Sequence, residues 1–249
     1  MSVSEEFVDD HALAAAIAEE AGELLLALRP TIADPTELKA AGDARANVLI
    51  LDRLAQARPD DAILSEESAD DLGRLEHTRV WIVDPLDGTR EYGEADRDDW
   101  AVHVALSIDG VAAIGAVALP AQELVYSTNP QPALAPRPDG PPRLVVSRTR
   151  PPAITAALEQ ALHAELVPMG SAGAKAMAIL QGRVDVYAHA GGQYQWDSAA
   201  PVAVAAAAGL HVSRLDGSPL VYNAADRALP DLLICRPEYA HTVIEVANT

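Results

Sequence analysis

Five acidic positions stand at the ends of apolar runs. Glu66 and Glu67 follow "AILS", Asp84 and Asp87 follow "VWIV", and Asp197 follows "QYQW". Carboxylates brought within a few ångströms of one another repel, and one of them must bind a proton unless a cation intervenes. An all-oxygen set of carboxylates, a backbone carbonyl and water suits Mg²⁺ or Mn²⁺, whereas Zn²⁺ favours His and Cys. No HExxH and no paired CxxC occurs in the chain.

The most informative spacing is Asp84-Pro85-Leu86-Asp87-Gly88-Thr89. Pro85 fixes one φ angle and stiffens the segment. Asp84 and Asp87 could face adjacent ions with the Leu86 carbonyl between them. Gly88 permits close backbone approach to a ligand. A helix opening at Gly88-Thr89 could turn its N–H groups toward phosphate. A competing reading is a capped turn, because Asp-Pro and Asp-Gly are common turn dipeptides. Glu66-Glu67 alone also reads as a solvated acidic loop, and Asp197 or Asp43 alone as a helix N-cap.

The elements around these residues follow from apolar periodicity. Leu13, Ile17, Ala21, Leu24 and Leu28 predict a helix from Asp9 or Asp10 to Pro30, and Ala46, Ile50, Leu54 and Ala57 predict a second over 43–57, with Asp43 at its N-cap. Strands are expected at "AIL", at 80–83, in a hairpin turning on Asp109-Gly110, and at "ELVYST". The proline-dense "NPQPALAPRPDGPP" reads as a loop or linker. It divides the chain into an α+β half, 1–142, expected to carry the metal site, and an α/β half, 143–249, completing the substrate pocket. The second half shows a strand "RLVVS", a helix from about Pro151, a strand near "AELVPM", a helix from Ser171, a strand "VDVYA" and a helix opening at Asp197. "HVSRL", a turn at "DGSP", a strand "LLIC" and a terminal helix complete it. This irregular alternation predicts layered α/β packing rather than a regular parallel sheet.

Composition bounds the rest. At 249 residues with half of them apolar, the chain can bury an ample core. A net charge of −19 disfavours nucleic-acid polymers and anionic membranes. The single cysteine, Cys235, excludes an intrachain disulfide and reads as a buried strand residue. The acidic start lacks a basic leader, and the most apolar stretches are too short to span a bilayer. A cytoplasmic protein is expected. The abundant alanine reads as compositional bias.

Three ordered segments, "LSEES", "WIVDPLDGT" and "WDSAAPVAVAAAAG", resemble the signatures of the lithium-sensitive, Mg²⁺-dependent phosphatases typified by inositol monophosphatase. That resemblance implies an α/β/α/β/α sandwich. It implies that Glu66, Asp84, the Leu86 carbonyl, Asp87 and Asp197 hold two or three Mg²⁺, with Mn²⁺ as a substitute. It further implies that Thr89 and Asp43 orient and deprotonate the attacking water, and that Li⁺ inhibits.

Within the family, "DGTREY", "GSAGAKAM" and "VVSRTR" resemble the actinobacterial CysQ-type 3′(2′),5′-bisphosphate nucleotidases. This branch implies substrate contacts from Glu66, Leu86, Asp87, Gly88, Thr89, Ser147, Arg148, Ser171, Gly173, Lys175, His189 and Asp197. The implied partner is a small phosphate ester, adenosine 3′,5′-bisphosphate first, with inositol phosphate or fructose 1,6-bisphosphate as alternatives. A homodimer is compatible with the family. Thr149-Arg150 and Ser65 depart from the usual pattern. Arg148 and Lys175 alternatively read as surface counter-charges, His189 as a core or rim histidine, and Trp196 as core packing. A silent metal-stabilised binding protein is a third reading, and the Asp43–Thr89 couple argues against it.

Overall fold

The computed structural model describes residues 3–249. Helix α1 (Val3–Leu28) and helix α2 (Pro35–Ala57) come first. The start of α1 lies several residues before the predicted Asp9 or Asp10. Helix α2 begins eight residues before the predicted start. Its N-cap is Asp34, whose carboxylate accepts from the Thr36 and Glu37 N–H groups, with Pro35 in the first turn. Asp43 is therefore a residue of the helix interior, not its cap. Gly42 interrupts the apolar pattern for a packing reason. A Cβ there would lie 2.9 Å from the Tyr92 ring and 3.1 Å from Leu86, so glycine lets α2 close onto the "DPLD" segment.

The first sheet runs β1 (Ala62–Ser65), β2 (Arg79–Asp87), β3 (Ala101–Ile108), β4 (Val111–Leu119), β5 (Leu124–Ser127), in that spatial order. Helix α3 (Thr89–Tyr92) follows β2 and is a single turn. The β3–β4 hairpin turns on Asp109 and Gly110 at φ 49° and 80°, the left-handed pair that a tight two-residue hairpin needs.

The second sheet has the order β7-β6-β8-β10-β9 and mixes parallel and antiparallel pairs. Its strands are β6 (Arg143–Ser147), β7 (Glu165–Met169), β8 (Val186–Tyr194), β9 (His211–Ser213) and β10 (Ala228–Cys235). Helices α4 (Thr155–Leu162), α5 (Ala172–Leu180), α6 (Gln195–Ala207) and α7 (Pro237–Ala247) alternate with them. Helix α4 starts four residues after the predicted Pro151, since two prolines open that segment without a helical turn.

Three apolar clusters define five layers. Helices α1 and α2 cover the outer face of the first sheet through Ile17, Leu25, Ile50, Trp81 and Val104. Helices α5 and α6 fill the space between the sheets through Met177, Ile179, Val204, Ile82 and Leu232. Helices α4 and α7 cover the outer face of the second sheet through Leu158, Val243, Leu144 and Leu233. The expected α/β/α/β/α sandwich is what the chain forms. The alanines of α5 and Ala199, Ala200, Ala203 and Ala205 of α6 are buried between the sheets, so this part of the alanine content follows from packing rather than from compositional bias. Cys235 is buried on β10.

The proline-rich segment lies at the end of α5 opposite its N-terminus. Ala135 N–H donates to the Leu180 carbonyl, Arg236 Nη2 donates to the Ala135 carbonyl, and Arg137 pairs with Asp185. No helix of the described residues is long and apolar enough to cross a membrane.

Candidate active site

The "DPLD" segment is not a free turn. Strand β2 continues through it, and its register against β3 jumps from Asp84↔His103 to Asp87↔Ala101. Three steps on β2 face two on β3, which is a bulge. Residues three apart on a regular strand point to opposite faces. The extra residue re-aims the chain, so Asp84 and Asp87 face the same place. Gly88 then takes φ 87°, and α3 begins.

Asp84, Asp87 and Asp197 each offer an oxygen within 4.8 Å of the others. Asp84 is 1% exposed and Asp87 7%. Asp197 arrives from α6, which opens two residues earlier than expected, at Gln195. Asp197 is thus not the N-cap. Its Oδ2 accepts the Tyr194 N–H at 2.6 Å from inside the first turn. Glu66, at the solvent-facing end of β1, shares a hydrogen bond with Asp84. The Asp84 carboxylate also accepts the Leu86 N–H at 3.1 Å, and the Leu86 carbonyl accepts the Thr89 hydroxyl at 3.1 Å.

The electrostatics divide these acids. Burial pushes Asp84 well above the carboxylate range, and Glu66, Asp87 and Asp197 push it further. Burial, then Asp87, raises Asp197 to about 7. Burial raises Glu66 to about 7 as well, partly offset by its bond to Asp84. Asp43, half-buried on α2, also reaches about 7 through burial and the neighbouring Glu67, with Lys39 opposing. Asp87 goes the other way. Burial opposes its charge, but the His103 ring, the Ser171 hydroxyl and the Gly173 N–H outweigh burial and hold it well below the usual range. Ser171 Oγ donates to Asp87 Oδ2 at 2.5 Å and Gly173 N at 2.7 Å. Ser171, the N-cap of α5, sits at φ 49°, a left-handed value costly for a serine.

His103 was not visible to sequence reasoning. It is fully buried on β3, with Nε2 3.3 Å from Asp87 and Nδ1 3.1 Å from the Trp196 carbonyl. Both neighbours are acceptors. Burial disfavours the charged ring, yet Asp87 raises its pKa overall. Gly173 carries no side chain because a Cβ there would come 2.1 Å from His103 Nε2.

The chemistry of this donor set fits a divalent cation. Among the described residues, no Arg or Lys forms an ion pair with Glu66, Asp84, Asp87 or Asp197, and His103 is the one basic side chain that pairs with them, at Asp87. Acids that must otherwise take up protons near neutral pH can stay ionised beside a hard cation. Glu66, Asp84, the Leu86 carbonyl, Asp87 and Asp197 are the groups that would hold it.

Arg90, Arg148, Arg150 and Lys175 line one cavity of about 240 Å³ together with Glu91, Gly88, Thr89, Ser147 and Ser171. Lys175 is no surface counter-charge. It is buried, its Nζ stands 5.2 Å from the Tyr187 ring, and burial lowers its pKa against the pull of Asp87 and Asp197. Arg148 does pair with carboxylates, Glu91 at 2.8 Å and Glu94 at 2.9 Å. His189 is half-buried beside this lining, where Lys175 acts on its ring, with Nε2 2.7 Å from the Gly191 carbonyl. Trp196 is buried, as its core reading requires, and its ring stacks on the exposed Tyr194 at 4.8 Å. Asp43 acts on Glu66 electrostatically, while the Thr89 hydroxyl is given to Leu86.

A five-layer α/β sandwich with buried carboxylates gathered at the end of a bulged strand defines a metal-dependent phosphatase class. The chain belongs to the inositol monophosphatase family, whose model matches residues 10–134 and 142–246. It is 55% identical over 232 residues to a 3′-phosphoadenosine 5′-phosphate phosphatase of Mycobacterium tuberculosis, covering 89% of this chain and 86% of that one. It is 33% identical over 201 residues to the 3′(2′),5′-bisphosphate nucleotidase CysQ of Escherichia coli, covering 76% and 81%. An inositol monophosphatase structure from Anabaena superposes with a TM-score of 0.80 at 22% identity, covering 96% of this chain and 95% of that one, a likeness of fold.

Proposed function

We propose that the protein is a Mg²⁺-dependent 3′(2′),5′-bisphosphate nucleotidase that removes the 3′-phosphate of adenosine 3′,5′-bisphosphate, giving AMP and phosphate. The observation that carries this reading is the juxtaposition of two opposite charge environments. A carboxylate cluster adjoins a cavity lined by Arg90, Arg148, Arg150 and Lys175, with Glu91 as the acid among them. A substrate with one phosphate to cleave and a second to hold fits that polarity better than a monophosphate does. The similarity to bisphosphate nucleotidases over most of the chain supports it.

When bound, two or three Mg²⁺, or Mn²⁺ in their place, would neutralise the carboxylates, acidify water and polarise the phosphoryl group. Thr89 orients the attacking water, and Asp43, with a pKa of about 7, accepts its proton near neutral pH. Ser171 and Gly173 keep Asp87 ionised and fixed. Lys175 supplies a point charge toward the second phosphate. Arg148 serves the same end while bound to Glu91 and Glu94, and Ser147 and His189 flank the substrate. Both halves of the chain contribute to one catalytic unit, placed in the cytoplasm in keeping with the single buried cysteine.

Phosphate release from adenosine 3′,5′-bisphosphate, inositol 1-phosphate and fructose 1,6-bisphosphate, with and without Mg²⁺, tests the proposal. The expected result is Mg²⁺-dependent turnover with the highest kcat/KM for the nucleotide. Equal kcat/KM for the three esters would sink the substrate assignment.

A further inference from the structure

The segment that follows the catalytic motif, Thr89 to Asp99, is a single helical turn and an irregular loop with five acidic residues: Glu91, Glu94, Asp96, Asp98 and Asp99. The loop's own arginines, Arg90 and Arg97, offset only part of that charge, Arg97 by pairing with Asp99. Its two ends both touch the site. Thr89 stands at the start. At the other end, Asp99 Oδ2 accepts the Gly170 N–H at 2.6 Å, next to the Ser171 whose hydroxyl holds Asp87.

Arg29, at the end of α1 and far from this motif in sequence, grips the loop from behind. Nε donates to the Tyr92 carbonyl at 3.1 Å, and Nη2 to the Glu94 carbonyl and, at 3.1 Å, to the Arg97 carbonyl. Nη2 also lies 3.5 Å from the Glu91 carbonyl. The guanidinium is 5.8 Å from the Tyr92 ring and 5.7 Å from the Trp100 ring. The two rings meet edge to face at 5.0 Å, and the Tyr92 hydroxyl donates to the Leu25 carbonyl. One side chain thus gathers carbonyls along the loop and is itself packed against two aromatic rings. A planar fork with several fixed donors can do this, and a lysine ammonium cannot.

We propose that Arg29 is a positioning residue for catalysis, setting through the 89–99 loop where Thr89 stands and how firmly Asp99 holds the Gly170-Ser171 turn against Asp87. This rests on the reading that the site hydrolyses phosphate monoesters. Arg29 touches none of the site carboxylates and neither Arg148 nor Lys175; the loop it grips meets the cavity through Glu91 and Glu94, the partners of Arg148, so the larger part of its loss should reach turnover. Displacing a catalytic group by about 1 Å costs up to roughly a hundredfold in rate.

Arg29→Ala and Arg29→Lys, assayed with Mg²⁺ on the best substrate of the unaltered enzyme, are the test. Both should lose roughly tenfold to a hundredfold in kcat, with a smaller change in KM passed on through Glu91 and Glu94 to Arg148. Arg29 also lines a cavity of about 440 Å³ with Pro30, Ile32, Leu38, Tyr92 and Gly93. Removing its side chain therefore leaves room for a small cation. Guanidinium at concentrations far below denaturing should restore part of the Arg29→Ala rate, and methylammonium should not. Trypsin should cut after Arg97 faster in both variants. Full kcat in Arg29→Lys overturns the proposal, as does a loss carried by KM alone or an Arg29→Ala rate that guanidinium leaves unmoved. Should Arg29→Ala fail to fold, Arg29→Lys decides alone. An unaltered enzyme that releases no phosphate from any ester sinks the phosphatase reading instead, and trypsin sensitivity still reports on the loop.

Discussion

Two buried acids of this molecule live in opposite surroundings. Asp185, at the start of β8, is fully buried and ringed by Arg137 at 3.4 Å, Arg143 at 3.6 Å and Arg236 at 3.3 Å, and it accepts the Arg143 N–H at 2.8 Å. Asp84 is buried as deeply and is surrounded by Glu66, Asp87 and Asp197. Taking a carboxylate out of water is expensive unless a charge or hydrogen bonds compensate. At Asp185 the chain brings its own cations, and the result is structure, tying β6, β8, β10 and the proline-rich segment together. At Asp84 it brings more acid, which destabilises the folded chain unless something from solution completes the site. A protein tolerates such an arrangement where function requires it.

Asp84→Asn should split the two cases most sharply. Turnover should fall on the order of a thousandfold or more, because a group acting on the reacting centre is lost, while the metal-free melting temperature holds or rises. A variant with ordinary turnover would remove Asp84 from the chemistry. Asp185→Asn should do the reverse, costing about 3–5 kcal/mol of folding stability by leaving three guanidiniums without their anion. Its kcat per folded molecule should stay near normal, and urea denaturation with active-site titration measures both. Adding Mg²⁺ to the unaltered protein should stabilise it by about 2.7 kcal/mol at a hundred times its dissociation constant. In Asp84→Asn that gain should shrink, while in a variant of the Asp185 cluster such as Arg137→Ala it should persist.

The remaining comparison is the dependence on pH. Asp197 is raised to about 7 in the folded chain, far above an unfolded aspartate. The native state then binds more protons than the unfolded state between about pH 4 and 7, so metal-free stability falls as pH rises through that window and levels off above it. Denaturant midpoints at pH 5 and 8 should show a decline without metal and little or none with saturating Mg²⁺. A midpoint that climbs with pH in chelator would contradict the assignment of Asp197.

Much of the site was legible because its residues are punctuated by strand ends. "DPLDGT" and "WDSAAP" stand out as acids after apolar runs, and the layered fold follows from the alternation of elements. Helix starts were less legible. Asp34-Pro35-Thr36-Glu37 is a helix-start pattern that was open to reading, but the apolar periodicity fades across Gly42, and that masked it and misplaced Asp43. His103 and Arg29 carried no local signal at all. A histidine inside an alternating strand reads as core, and an arginine before Pro30 reads as an end of helix. Their roles arise only when β3 pairs with the bulge and when α1 folds back on the loop after Tyr92. The bulge itself, which decides where Asp84 and Asp87 point, is a matter of register between strands, and register is not written in either strand alone.

The small residues of α6 have a consequence for how this chain can change over generations. Helix α6 runs between the two sheets with Ala199, Ala200, Val202, Ala203, Val204 and Ala205 buried, and Gly115 of β4 comes so close that an added Cβ would lie 2.8 Å from the Ala200 carbonyl. There is no slack on either side to absorb a methylene. A saturation library should therefore show a stripe of positions here that accept almost nothing larger, although none of them touches a reacting atom. Inherited variation would then collect on the outer helices and the proline-rich segment, leaving the helix that presents Asp197 nearly frozen.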